Sequence, residues 1–493
     1  MRDELSLPAG AMMPAQARLL DALAARLPAK AIVTDREAIA PWETDWRGRY
    51  HGHAPVLLAP GSTAEVALVV NAAREHGVPL VPQGGNTSMV GGATPPADGS
   101  AMILSLRRMN RIRRLDPAAG LVVAEAGVIL QALHEAAAVH DARFPLTLGA
   151  RGSATIGGLV STNAGGTQVL RFGTMRGLVL GVEAVLPDGG VHDGLGALKK
   201  DNRGYDLNQL MIGAEGTLGV VTAAALRLVP AVAARAVAWL GVGSPEAALG
   251  LLRRLQGASD AIESFEIVPQ RAVDSVLAHI PALRPPLGDR HPWHLLVEAA
   301  SAEAEGEPPA ALLARLLEPA LADGTIADAV VAGSEAQVEA LWRIRESISA
   351  AERAHGPASQ HDIAVPVEAM PRFMVEAAAA CEARFPGTQA FGYGHLGDGN
   401  VHFHVRAPAG LDPAVWYDRD VPAVTRFVHD LVAAAGGSIS GEHGIGQMKL
   451  AELERLGPPA RLAAMRAIKH GLDPDGLFNP GKLVRLAPPL PLP

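Results

Sequence analysis

The sequence predicts an α+β chain of two domains, and three observations carry that expectation. Its 493 residues exceed what one ordinary core organises. From about residue 54 to Pro230, short apolar runs alternate with helical periodicity and glycine-bearing turns. From about 233 to 440, strand, helix and strand recur with longer connections. The expected limits are an N-terminal helical segment at 1–49, a first domain at 50–230, a second at 231–440 and a closing segment at 441–493.

The elements are expected in this order. Leu19, Leu20, Leu23 and Leu27 fall on one face of a helix over 14–28. "APVLLAP" (54–60) reads as a strand. "TAEVALVVNAAREHG" (63–77) reads as a helix with Thr63 as N-cap and Gly77 as stop. "VPLVPQGG" is a strand entering a glycine turn. Strands follow at 101–106, 121–126, 179–186 and 219–228, with a helix at 129–140. In the second part "AVAWLGVG" and "HLLVEAA" are strands and "PEAALGLLRRLQG" a helix. Further helices are expected at 310–320, 335–355, 368–384 and 421–435. The final "APPLPLP" reads as an extended, mobile tail. No repeat of fixed period is present.

Composition excludes several classes. Hydrophobic residues at 48% and charged ones at 19% describe a soluble globular protein. The net charge of −8 is dispersed and no basic stripe exists, which argues against nucleic-acid binding. Cys381 is the sole cysteine, so no internal disulfide or CxxC metal site forms, in keeping with a reducing, cytoplasmic compartment. "MRDELSLPAG" has acids where a signal peptide carries basic residues. No uninterrupted run of about 18 apolar residues exists to form an integral membrane segment. Peripheral membrane contact through an electron-accepting partner stays open.

Three glycine-rich segments carry the chemistry of the first part: "VPQGGNTSMVGG" (81–92), "GSATIGGLVSTNAGG" (152–166) and "DNRGYDLNQLMIGAEGTLGVVT" (201–222). Glycine lets backbone N–H groups close on an anion, and Thr87, Ser88, Ser161 and Thr162 add hydroxyl donors. None of the three is a strand–GxGxxG–helix fingerprint with an acid about 20 residues on, so a nicotinamide Rossmann site is disfavoured.

The second part gathers histidines in "FGYGHLGDGNVHFHV" (391–405). "VHFHV" alternates as a strand, with His402 and His404 on one face and Val401, Phe403 and Val405 on the other. "GHLGDGN" is expected to turn and bring His395 back to that face. "SISGEHGIG" (438–446) adds Glu442 and His443 in another glycine-flanked turn. Two imidazoles and a carboxylate suit a catalytic divalent site, most often zinc, while the N/O donor set also accepts Mn, Fe or Co. "EALWRIRESIS" (339–349) reads as helix with Arg345 and Ser349 one turn apart, and an arginine there grips a carboxylate bidentately.

"PQGGNTSMVGG", "GSATIGG", "TNAGG", "IGAEGTLGVVT" and the later "FNPGKL" (478–483) together resemble the PCMH-type, vanillyl-alcohol-oxidase superfamily of FAD-binding proteins, over roughly residues 50–485. The nearest branch is that of the D-2-hydroxyglutarate/D-lactate dehydrogenases with an FAD-linked oxidase C-terminal domain. The resemblance implies a two-subdomain FAD-binding domain, an α+β substrate (cap) domain with an antiparallel sheet, and a closing segment that returns to the FAD domain. It implies that Pro82, Gly84, Gly85, Asn86, Thr87 and Ser88 hold the pyrophosphate side. Ser153, Gly158, Ser161, Asn163, Gly219 and Val220 would line the adenine and flavin ends. "QGGNTS" lacks the histidine through which some relatives attach flavin, so the FAD is expected to be noncovalent.

The same resemblance implies that His395, His402 and Glu442 bind the metal, that His443 is the general base, and that Arg345 and Ser349 contact the hydroxyacid. The implied reaction oxidises a D-2-hydroxyacid to the 2-oxoacid by hydride transfer to flavin N5. D-2-hydroxyglutarate comes first, then D-lactate or another monocarboxylate, or a glycolate-oxidase-like subunit. Electrons then pass to a separate acceptor, such as an electron-transfer flavoprotein, a quinone or a cytochrome; a homodimer is left open. Two positions depart from the family pattern. Gln360 replaces a lysine, and His404 stands where an asparagine is usual after the second metal histidine. Both are expected to meet substrate, His404 either restoring a donor or becoming an extra metal ligand. Alkylglycerone-phosphate-synthase relatives carry consecutive histidines near the active site, and this chain has no adjacent pair.

Overall fold

The computed structural model describes residues 12–486. The expectations for the first ten residues and for the proline-rich tail at 487–493 lie outside the described residues. The chain divides into two compact units. One comprises the residues up to Ala164, Thr174–Val229 and the chain from His443 onward; the other comprises Gly165–Gly173 and Pro230–Glu442.

The first unit holds two principal sheets. In the smaller, the strands run in the order Ile32–Val33, Leu57–Leu58, Met102–Ser105, Leu80–Gln83, and the last three are parallel. The helix Thr63–His76 supplies the crossover that parallel neighbours need. Its N-cap is Ser62, whose side chain accepts from the Glu65 N–H, and not Thr63 as the sequence suggested. A hydroxyl serves best when its own residue is still extended, and Ser62 has that conformation. Gly77 closes the helix in the left-handed region at φ +65°.

The larger sheet is antiparallel, in the order Ile112–Asp116, Leu121–Glu125, Val220–Arg227, Val179–Val185, Val191–Asp193. Two of its strands escaped the sequence reading. "IRRLD" and "VHD" are charged, half-exposed edges without the apolar alternation that marks a buried strand. Leu58, Val66, Val70, Leu80 and Leu104 pack with Val185, Val220 and Phe478, so one core joins both sheets to the chain's final segment.

The second unit is built on a seven-stranded antiparallel sheet. Its order is Asp328–Val331, Ala234–Val242, Trp293–Ser301, Ile262–Pro269, Gln389–His395, Asn400–Arg406, Ala358–Ala364. Helices Pro245–Ala258, Pro309–Ala322, Met370–Arg384 and Val421–Ala434 cover one face. Gln270–His279, Glu335–Glu346 and Ile348–Ala354 pack on the other. The helix expected over 335–355 is therefore two. At Ser347 the torsions drift to φ −83°, ψ −7°, and the regular ladder stops and restarts. Arg345 and Ser349 sit on either side of that break, not on one continuous face. Among the described residues no helix is long and apolar enough to cross a membrane.

Candidate active site and cofactor cradle

Val401, Phe403 and Val405 are fully buried on the first face of the seven-stranded sheet. Alternation turns Asn400, His402 and His404 to the opposite face. Partners in an antiparallel ladder share a face, so His395, Tyr393 and Phe391 on one side and Asp362 and Gln360 on the other join them. His395 arrives there as the last residue of its own strand, paired with Asn400. The glycine turn follows it instead of folding it back. The His395 and His402 ring centroids lie 5.5 Å apart, and the Tyr393 ring is tilted against His402 at 5.1 Å and edge-on to His404 at 5.2 Å.

Glu442 comes from the turn that ends this unit. Its N–H donates to Asp362 Oδ2 at 3.0 Å, and Asp362 Oδ1 accepts from Asn400 Nδ2 at 2.8 Å. Gly441 makes that docking possible, because a Cβ there would fall 1.8 Å from Asn400 Nδ2. The Glu442 carboxylate ends 3.7 Å from His395 Nε2, and one ligand atom from each of His395, His402 and Glu442 lies within 4.8 Å of the others. A tetrahedral zinc with bonds of about 2.0–2.2 Å needs donor atoms roughly 3.4 Å apart, so this N/N/O set fits a divalent cation with little movement. Burial pushes the Glu442 carboxyl up to about 7, with Asp362 and Asp398 adding to the rise against His395. Burial works against a charged His395, but Glu266 outweighs it and lifts the imidazole to about 9. His443 is next in sequence to Glu442 and begins the closing segment of the first unit.

Arg345 is buried on the same sheet face. Its Nε donates to Glu266 Oε2 at 2.6 Å, and its guanidinium stands 5.0 Å from the Tyr393 ring. Gln360 Nε2 reaches the Ser349 hydroxyl and carbonyl, both at 3.4 Å, and Gln360 pairs in register with His404. The structure thus gathers Arg345, Ser349, Gln360, His395, His402, His404 and Glu442 in one unit. Sequence reasoning passed over Glu266, Tyr393, Asp362 and Asn400. The available signal was a pair of carboxylates in the buried strand "IESFEIVP", since a buried charge demands a partner.

In the first unit the loop after Leu80–Gln83 lies tightly on the second glycine segment. A Cβ at Gly84 would come within 2.1 Å of Thr155 Oγ1, and one at Gly85 within 1.9 Å of the Ser153 carbonyl. Asn86 takes φ +54°, and its side-chain amide donates to the Thr44 carbonyl at 2.9 Å. Ser88 Oγ accepts from Gly92 N. Ser161 O receives Glu215 N at 2.7 Å, and Asn163 Oδ1 receives Arg176 N at 2.9 Å, so these two brace the fold. Gly158 lies in the helix Ile156–Thr162, and Gly219 leads into Val220, which is buried in the core. The buried Thr155 Oγ1 and Gln83 Oε1 have no protein hydrogen-bond partner beside Gly84, which suits a cradle for a polar cofactor. Pro82 pairs with Leu104 in the parallel strand, one residue before its end at Gln83, after which the glycines and then Thr87 follow.

A parallel-plus-antiparallel unit with a glycine-rich cradle and an antiparallel unit carrying a histidine–carboxylate cluster suit a flavoprotein oxidoreductase. Residues 54–194 match the family described as the FAD binding domain, and 232–483 match FAD linked oxidases, C-terminal domain. The chain belongs to this family of FAD-dependent oxidoreductases. It is 35% identical over 456 residues to the mitochondrial D-2-hydroxyglutarate dehydrogenase of Arabidopsis thaliana, covering 92% of this chain and 79% of that protein. It is also 35% identical to the D-2-hydroxyglutarate dehydrogenase of Xanthomonas citri, covering 93% and 95%. The fold is shared with p-cresol methylhydroxylase at a TM-score of 0.75 and 14% identity, over 97% of this chain and 98% of that one.

Proposed function

We propose that the protein oxidises D-2-hydroxyacids to 2-oxoacids with noncovalent FAD and a divalent cation, zinc in the first instance, with D-2-hydroxyglutarate as the first substrate to test. The observation that carries the reading is the convergence of His395, His402 and Glu442 beside the buried Arg345 in a chain of this family. Gly84, Gly85, Thr87 and Ser88, with Ser153, Gly158 and Ser161, would hold the FAD. The flavin supplies a two-electron acceptor for the substrate's C2 hydride. The cation, held by His395, His402 and Glu442, supplies a Lewis acid that makes a hydroxyl more acidic.

The remaining work falls to side chains. Arg345 neutralises the substrate carboxylate, and Ser349, Gln360 and His404 hydrogen-bond its far end. His443 takes the hydroxyl proton as general base. Arg345, Ser349, Gln360 and His404, held within one unit, orient the substrate. Electrons leave through a separate acceptor, and the buried, free Cys381 agrees with a reducing compartment.

An anaerobic flavin-reduction screen across paired D- and L-2-hydroxyacids tests this directly. D acids are expected to bleach the flavin and their L partners to leave it oxidised. Chelation should stop the reaction and keep the flavin spectrum. Bleaching by L acids alone, or full turnover of protein stripped of metal, rejects the proposal.

A further inference from the structure

We propose that Glu266 is a positioning residue that fixes, through one carboxylate, both the His395 imidazole and the Arg345 guanidinium. The inference rests on the reading of His395 as a metal ligand and Arg345 as the substrate's cation. Glu266 sits mid-strand in Ile262–Pro269, fully buried, and its ladder partner across the sheet is His395. Its two oxygens are divided. Oε1 meets His395 Nδ1 at 2.5 Å, and Oε2 accepts from Arg345 Nε at 2.6 Å.

That division settles two orientations at once. With Nδ1 committed to Glu266, the ring presents Nε2 toward Glu442, 3.7 Å away. A carboxylate on the remote nitrogen of a ligating histidine sets its tautomer and makes the facing nitrogen a stronger donor. On the other side, a monodentate contact through Nε leaves the terminal nitrogens of Arg345 for a ligand, while Tyr393 limits where the planar group can lie. Neither partner is close in sequence: Arg345 is 79 residues from Glu266 and His395 is 129. An isolated carboxylate buried this deeply is costly, and this pair of contacts offsets that cost for Glu266.

The test compares the FAD-loaded wild type with Glu266→Gln, which keeps shape and removes charge, in calorimetric titrations of metal-stripped protein with Zn2+ and Co2+. Weaker binding by roughly 10- to 100-fold, at unchanged FAD content, is expected. Metal-saturated Glu266→Gln should also show a raised KM for the hydroxyacid, because a neutral amide with one acceptor oxygen holds the Arg345 guanidinium more weakly than a carboxylate does. Equal metal affinity and equal KM overturn the inference. Wild type that binds neither metal overturns the reading of the site itself, and the inference with it. If Glu266→Gln does not retain FAD, Glu266→Asp decides instead: its shorter arm reaches only one partner, so it should lose either metal affinity or KM and not both, and loss of neither counts against Glu266.

Discussion

Single buried polar residues outside the site already fix how this protein responds to pH. His294 lies in the second unit, where Trp239 Nε1 donates to its Nδ1 at 3.0 Å and its Nε2 meets Gln270 Oε1 at 2.9 Å. An indole nitrogen only donates, so Nδ1 must keep its lone pair and the ring is neutral with its proton on Nε2. Burial, with His291 nearby, pushes the imidazole down to about 4. Between that value and the ordinary 6.5 or so, the unfolded chain takes up a proton that the folded one refuses. Stability from this residue is therefore complete above the ordinary value and drains away as pH falls toward 4. From pH 7.5 to pH 5 the loss is about 2 kcal/mol, or a few degrees in the midpoint of a unit this large. His294→Gln, which still offers Trp239 an acceptor, should flatten the dependence of thermal midpoint on pH over that range. An unchanged slope would assign the acid sensitivity elsewhere.

At the scale of elements, legibility followed locality. The strand carrying His402 and His404 and the helices at 370–384 and 421–434 were readable because alternation and helical periodicity are written in adjacent residues. The strand holding Glu266 was not, since Glu263, Ser264 and Glu266 interrupt its apolar residues without matching either period. The break at Ser347 was equally silent: "RIRESIS" has no glycine or proline to mark it. Within the candidate site, the metal-type ligands were legible as motif residues, whereas Glu266 and Asp362 act through contacts that only sheet register creates.

The third glycine segment shows the same point in the first unit. Glu215, at φ +51°, is buried and accepts the N–H groups of Ile445 at 2.8 Å and Gly446 at 2.7 Å. Burial raises its carboxyl despite those two donors. It thereby clamps the turn that follows His443. Glu215→Gln would aim an amide N–H₂ at one of these donors, costing about 1–3 kcal/mol. Hydrogen exchange at the Ile445 and Gly446 amides should accelerate, and kcat should fall more than KM shifts. Full protection of both amides in the variant would show that the turn is held by other means.

At the scale of the whole molecule, the chain leaves the first unit at Val229 and re-enters it at His443, so that unit is completed only by its last residues. The fastening is a buried knot. Lys469 Nζ donates to Thr217 O at 2.7 Å, to Phe478 O at 3.0 Å and to Asp473. Asp473 also accepts the N–H groups of Leu477 and Phe478 at 2.9 and 3.0 Å. Leu80 N donates to Leu477 O, and Asn479 N to Leu80 O, so "LFN" lines the strand that leads into the Gly84 loop. Burial already disfavours charge on Lys469, and Asp473 offsets that only in part. The two ends of the pair should therefore respond unequally. Asp473→Ala strands a buried ammonium and two backbone donors, and about 3–5 kcal/mol is expected to go with it. Lys469→Met leaves Asp473 its two N–H partners and fills the stem's volume with apolar atoms, so its cost should be smaller. Because the knot supports the flank of the cradle loop, FAD release on heating, followed by the rise in flavin fluorescence, should come earliest in Asp473→Ala, later in Lys469→Met and last in the wild type. If Lys469→Met releases flavin first, the carboxylate is not the centre of the fastening, and the end of the chain is held to its beginning by apolar packing around Phe478 instead.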